Sequence, residues 1–238
     1  MNGADCSKTR RSPVAGALAA AGFALSAFIL IGATVSTRLA EPFDAWLLLA
    51  MRSAADPSRP FGPAWLQETG RDFTALGSNG VLGALVLAGS GVLLLARRRA
   101  AAIFLFGSFA GALALESVIK HWLARPRPEI VPHAARVFTA SFPSGHATVS
   151  AAVGCALAFL LPHLTPDRRL WLFMAAIAAC LAFVIGASRI YLGVHWPTDV
   201  AAGWALGMGW ACFCRAAFLR WATRAQLGPA TAIEHTEL

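Results

Sequence analysis

The chain has 238 residues, 57% of them hydrophobic and only 13% charged, with a formal net charge of +8. Soluble domains carry about 25% charged residues, so too little polar surface remains to cover a water-soluble globule. The positive balance does not point to nucleic acid either: the cations sit at the ends of apolar runs, with no zinc-finger spacing, no separate basic domain and no recognition-helix pattern.

Residues 1–13 form a polar head with Lys8, Arg10 and Arg11, closed by Pro13. An apolar run from Val14 to Val35 follows, long enough to cross a hydrocarbon core that needs about 20 helical residues. A signal peptide has a similar charged head, and Arg10-Arg11 resembles a twin-arginine signal, but the apolar region of a signal peptide usually has only about 7–15 residues. An uncleaved first span is expected.

Residues 36–75 are the least hydrophobic stretch between the two tails. Glu41-Pro42-Phe43-Asp44 resembles a helix start, with proline and acidic residues in a first turn. The apolar piece behind it is too short to span, so a surface-lying helix is expected. A second short helix is predicted from Pro63 to Phe73, where Trp65, Leu66 and Phe73 can sit at the lipid surface and Arg71-Asp72 can brace the external face, an ordinary interfacial cap being preferred to catalysis.

Further spans are predicted at Leu76–Ala96, ending at Arg97-Arg98-Arg99, and at Ala101–Ile119. Glu116 lies four residues before Lys120, an order that favours a helical ion pair, which can restrain Lys120 toward a site or simply neutralise the helix end. A proline-containing connection over 121–143 leads to a helix from Ser144 to Leu161, then a turn from Pro162 to Arg169. The fifth span covers Leu170 to Ala187 and the sixth runs from Pro197 to Phe218, where Gly203, Gly207 and Gly209 permit close helix packing. The fold class predicted is therefore all-α: a polytopic membrane bundle of six transmembrane helices, with short interfacial helices between the first two. One membrane domain spans 14–218, and 219–238 is a peripheral tail.

Cys155, Cys180, Cys212 and Cys214 fall in or near apolar runs and Cys6 in the head; the Cys212/Cys214 pair lacks partner ligands and carries little metal signal. Inner segments are assigned from Lys8, Arg10 and Arg11; Arg97 to Arg99; Arg168 and Arg169; and Arg215, Arg220 and Arg224. Both termini are then cytoplasmic, and by span parity the three polar clusters share the opposite face.

Those clusters carry the chemistry. Lys120 and Arg127-Pro128 combine a mobile cation with a planar donor fork, and Arg125 can add another donor; a basic membrane-edge loop would look similar. Pro143-Ser144-Gly145-His146 opens a helix. Gly145 lets a backbone N–H approach an anion, Ser144 can donate or simply cap, and His146 can protonate a leaving oxygen or simply meet a loop carbonyl. Ser188-Arg189, His195 and Asp199 complete the set. Arg189 can join an anion clamp, and Asp199 can orient the His195 imidazole for attack or form a buried structural pair.

In order and spacing these residues resemble the three-part signature of the type 2 phosphatidic acid phosphatase superfamily: Lys-x6-Arg-Pro, Pro-Ser-Gly-His, and Ser-Arg-x5-His-x3-Asp. The resemblance implies a metal-independent membrane phosphatase with no cofactor. It implies that His195 attacks phosphorus to form a phosphohistidine, that Asp199 holds its ring, and that His146 protonates the leaving oxygen. It also implies that Lys120, Arg127, Ser144, the Gly145 backbone and Arg189 bind phosphoryl oxygens. The implied partners are the bilayer and a phosphorylated membrane lipid in a bacterial inner membrane, with the site facing the periplasm or exterior. Undecaprenyl-type pyrophosphate is preferred. Phosphatidylglycerophosphate, phosphatidic acid, phosphotransfer to an alcohol and non-catalytic lipid binding or transport are the alternatives.

Overall fold

The computed structural model describes residues 12–135 and 139–226, with side chains through residue 221. The head cations Lys8, Arg10 and Arg11, together with Cys6, lie outside the described residues, as does the tail beyond residue 226. Among the described residues eight helices follow in order: α1 (Pro13–Ser36), α2 (Glu41–Ala50), α3 (Ala64–Leu76), α4 (Asn79–Leu95), α5 (Arg99–Leu123), α6 (Gly145–Leu164), α7 (Arg168–Tyr191) and α8 (Pro197–Gln226). Among the described residues no regular strand occurs, only an isolated bridge between Arg52 and Pro60.

Five helices, α1, α5, α6, α7 and α8, are long and apolar enough to cross a membrane, and the bent pair α3–α4 supplies a sixth crossing at a 45° break. At about 1.5 Å per residue the 17 residues of α4 reach about 26 Å, most of a hydrocarbon core. The result is an all-helical bundle of five crossings, or six with the bent pair counted as one, in which α2 is the short helix between the first crossing and that pair.

Several boundaries differ from the sequence expectations: α4 starts at Asn79 rather than Leu76, and α8 runs past Phe218 to Gln226, into the segment expected to be a tail. Helix α6 runs through Pro162 to Leu164. Pro162 sits in the last turn, where its missing N–H costs only the bond to the Ala158 carbonyl, and Arg98 Nη1 donates to the His163 carbonyl, one of the unpaired carbonyls at the helix end, at 2.8 Å. Helix α5 extends past Ile119 to Leu123, so Lys120 belongs to its final turn. Helix α7 extends past Ala187 to Tyr191, which puts Ser188 and Arg189 on a rigid span.

Helices α6 and α8 pack in close approach because α8 presents glycine. A Cβ on Gly203 would lie 2.7 Å from the Ser144 carbonyl oxygen, and one on Gly207 would overlap the Thr148 carbonyl. One main apolar cluster joins α4, α5 and α6 through Leu82, Val86, Leu93, Phe104, Leu105, Val149 and Leu160, with Phe218 of α8 against it. The two short helices are docked rather than merely lying on a surface. Helix α2 exposes Phe43 and Trp46 but buries Leu48 against Val131, Ala147, Ile190 and Val200. On α3, Trp65 is exposed, whereas Leu66 packs on the Tyr191–Leu192–Val194 cluster instead of facing lipid. Arg71 pairs with Glu68 and its Nε donates to the Ala134 carbonyl at 3.2 Å, tying α3 to the long connection.

Candidate active site

The end of the bundle formed by the C-termini of α5 and α7 and the N-termini of α6 and α8 collects all three motifs. Each arrives on a helix end, where backbone groups are left over and a charge can be held. Ala124 ends α5 in the left-handed region, at φ 41°, with its N–H on the Lys120 carbonyl. That turn throws the chain from the span into the connection carrying Arg125 and Arg127.

His195 is 1% exposed and Asp199 fully buried. His195 Nδ1 lies 3.5 Å from Asp199 Oδ2, and Arg127 Nη1 lies 3.2 Å from His195 Nε2. A guanidinium only donates, so Nε2 accepts and the proton of the neutral ring sits on Nδ1, facing the carboxylate. Burial pushes the His195 imidazole well below its ordinary pKa, against the opposing pull of Asp199. The ring is therefore neutral near pH 7, with its Nε2 lone pair directed at the cationic side of the site.

Arg127 is fixed by backbone oxygens. Nε donates to the Thr139 carbonyl at 2.8 Å and Nη1 to the Val194 carbonyl at 2.6 Å. Burial draws its pKa down, while Asp199 and Glu116 pull it up. Lys120 pairs with Glu116, the helical pair anticipated from their spacing, and lies 3.4 Å from Thr139 Oγ1. A Cβ on Gly145 would fall 2.5 Å from Glu116 Oε1 and 3.5 Å from Lys120 Nζ. Only glycine permits the start of α6 to approach this ion pair.

Ser144 occupies the N-cap of α6 without the capping side-chain bond. Its Oγ is buried with no hydrogen-bond partner, and so is Arg189 Nε. The other end of the Arg189 fork donates from Nη1 to Thr74 Oγ1 at 2.8 Å. Buried donors without partners are costly, and two of them border the same end of α6 as the free first-turn amides. His146, two residues after Ser144, is half-buried within electrostatic reach of Arg189, His195, Lys120 and Arg127. All eight sequence-predicted site residues thus converge on one end of the bundle.

Arg125 does something else. It turns away from the anion clamp and binds two carboxylates, Asp44 through Nη2 at 2.7 Å and Asp199 through Nη1 at 2.6 Å. Its fork is occupied by internal ion pairs rather than left open to an anion, because the two buried carboxylates satisfy it. The sequence reading also missed Ser141, whose hydroxyl donates to Asp199 Oδ2, as well as Thr139, Thr74 and Asp44. Asp44 was detectable in one way: it lies four residues before the buried Leu48, hence on the buried face of α2.

No group of three or more metal-ligating side chains occurs among the described residues. The arrangement offers a neutral imidazole with an oriented lone pair, a second imidazole, and a wall of N–H and O–H donors suited to a tetrahedral anion.

The pattern of the PAP2 superfamily matches residues 101–222, from the start of α5 to the end of the membrane-crossing part of α8. Over 186 residues the chain is 31% identical to phosphatidylglycerophosphatase B of Bacillus subtilis, covering 76% of this chain and 86% of that protein. It is 33% identical over 127 residues to an undecaprenyl-diphosphatase of Sulfolobus acidocaldarius, covering 51% of this chain and 57% of that protein. In fold it resembles the crystal structure of a transmembrane PAP2-type phosphatidylglycerolphosphate phosphatase from Bacillus subtilis. The TM-score is 0.68 at 24% identity, over 89% of this chain and 98% of that one. The crystal structure of Aquifex aeolicus LpxE gives a TM-score of 0.56 at 26% identity, over 74% and 94%. With three motifs gathered at one end of a helical bundle, the chain belongs to the PAP2 superfamily and is a multi-pass membrane phosphate hydrolase of the PAP2 type.

Proposed function

We propose that this chain removes the terminal phosphate of a membrane lipid through a phosphohistidine on His195, without a metal or cofactor. The observation that carries the reading is the line from Asp199 through the His195 ring to Arg127, bordered by the unpartnered Ser144 hydroxyl and Arg189 Nε–H. When a phosphoryl group enters, its oxygens accept from Arg127, and the Nε2 lone pair is released toward phosphorus. Lys120, Arg189, Ser144 and the amides beginning at Gly145 bind the remaining oxygens, where charge builds in the transition state.

His195 Nε2 forms a bond to phosphorus as the bond from phosphorus to the lipid oxygen breaks, and His146 gives a proton to that oxygen. Asp199 stabilises the positive charge developing on the ring. Water then attacks phosphorus, His146 takes its proton, the P–N bond breaks and phosphate leaves. The surrounding cations argue against a divalent metal at this point, so chelation is expected to leave turnover unchanged.

The two relatives named above favour a phosphatidylglycerol phosphate or a polyprenyl diphosphate as substrate. We favour the undecaprenyl-type diphosphate, with the site on the periplasmic or external face of a bacterial inner membrane and both termini cytoplasmic. The cationic counts at Arg97 to Arg99 and at Arg168 and Arg169 support that orientation. Phosphate release from a panel of purified lipids in nanodiscs tests the assignment. Fastest release from the polyprenyl diphosphate agrees with it, fastest release from phosphatidylglycerol phosphate replaces the substrate, and inactivity on every lipid overturns the reading.

A further inference from the structure

Asp44 is a fully buried carboxylate on α2, in a segment that contributes none of the three motifs. Its Oδ1 accepts from the Thr198 backbone N–H at 2.9 Å. Its Oδ2 accepts from Thr198 Oγ1 and from Arg125 Nη2, both at 2.7 Å. Thr198 is the second residue of α8, so its N–H is one of the first-turn amides that have no partner within the helix. Asp44 therefore caps α8 from another helix, with a negative charge at the positive end of the dipole.

Arg125 joins this cap to the reacting end. Nη1 reaches Asp199 Oδ1 at 2.6 Å and Thr198 Oγ1 at 2.9 Å, while Nη2 holds Asp44. The guanidinium also lies 5.4 Å from the centroid of the Trp196 ring. Asp199 Oδ2 accepts from the Trp196 N–H at 3.0 Å and from Ser141, and this is the oxygen that faces His195 Nδ1. Both oxygens of Asp199 are thus fully engaged. Their position is set by a rigid planar fork whose other prong is anchored in α2. Lysine, a point charge on a flexible stem, would not hold two carboxylates in this relation.

We propose that Asp44, Arg125 and Thr198 form a positioning assembly that fixes Asp199 behind His195 and makes the interfacial helix α2 part of the catalytic apparatus. None of the three touches the phosphoryl group; they act through Asp199. The proposal rests on the reading of His195 as nucleophile. Misplacing a reacting group by about 1 Å costs about 100-fold in rate, whereas loss of a cap alone lowers stability and leaves the chemistry of the folded fraction intact. Helix α2 is held independently of the ionic contacts by Leu48 in its apolar cluster, so a polar substitution at Asp44 need not release the whole element.

The test uses the full chain in nanodiscs with four variants: Asp44→Asn, Arg125→Lys, Thr198→Val and Thr198→Ser. The expected result for Asp44→Asn and Arg125→Lys is a fall in kcat of about 10- to 100-fold with KM within about threefold of wild type. Thr198→Val is expected to fall less, and Thr198→Ser, which keeps the hydroxyl, to return to near wild type. Nitrogen NMR of isotope-labelled histidine supplies a readout that does not need turnover. The His195 signal, identified by its loss in His195→Ala, is expected to show the Nδ1–H tautomer in wild type and a mixture of tautomers in Asp44→Asn. A lowered Tm with unchanged kcat and an unchanged His195 signal in Asp44→Asn and Thr198→Val would reduce the assembly to a structural cap and overturn the proposal. If wild type hydrolyses no lipid phosphate, the functional reading fails, while the His195 signal still decides whether the assembly positions the ring.

Discussion

Two ends of the same bundle are buried by opposite means. Away from the site, α4, α5 and α6 meet through Leu82, Val86, Leu93, Phe104, Leu105 and Leu160. These contacts are non-directional, and each side chain is held by the fit of its neighbours. At the site end, α6, α7 and α8 bury Ser144, Thr148, Ser188, Arg189, His195, Thr198 and Asp199. There nearly every group is held by a directed bond, and a few donors are left without a partner inside the protein. The apolar end sets how stable the bundle is. The polar end sacrifices some of that stability to keep donors open for an anion.

A change where the two regimes meet should have the largest effect. Gly203→Val drives a side chain into the Ser144 carbonyl, so α6 must shift relative to α8. Phosphate release is expected to fall about 100-fold or more, and Tm to fall with it. Kinetics and thermal melting in the same nanodisc preparation check both. Unchanged kinetics would show that the α6–α8 contact does not set the site.

Ser144→Ala separates the two regimes cleanly. Its hydroxyl is buried without a partner, so removing it relieves a desolvation cost of about 1–3 kcal/mol. Activity is expected to fall about tenfold while Tm holds or rises. A loss of Tm would mean that the hydroxyl stabilises the fold instead of awaiting a ligand.

Leu160→Ala is the opposite probe. It opens a cavity in the apolar cluster and is expected to cost about 2–4 kcal/mol of stability, with kcat within about twofold of wild type at temperatures where the protein stays folded. A large kcat defect in the folded protein would couple the two ends.

The smallest effect concerns pH. His195 is held neutral by burial, with its folded pKa far below the ordinary imidazole value. Between those two values the unfolded chain binds the extra proton, so stability rises with pH there and is lost as pH falls from about 7 to 5. The wild-type Tm is expected to drop over that interval, and to drop less in His195→Ala. Equal drops would place the acid sensitivity elsewhere.

Much of this was legible in the sequence because hydrophobic run length reports membrane crossings and the motifs are compact. Pro143 to His146 and Ser188 to Asp199 each carry their chemistry within a few turns of chain. The remainder depended on distant pairs. Asp44 and Arg125 are 81 positions apart, and Thr74 and Arg189 are 115 apart. Spacing alone could not show that Arg125 spends its fork on internal carboxylates while Arg127, two residues on, faces the imidazole. Nor could hydropathy reveal that Leu66 packs on Tyr191, because an amphipathic helix beside a membrane can turn its apolar face to lipid or to protein.

The central claim is that His195 carries the phosphoryl group. Rapid quenching of the wild-type protein with lipid labelled in its terminal phosphate, followed by peptide mapping, tests it most directly. The expected result is acid-labile, base-stable phosphate on His195, and in His195→Ala no adduct and a loss of turnover on the order of 1,000-fold or more in a protein that stays folded. Near-wild-type phosphate release by His195→Ala would contradict it.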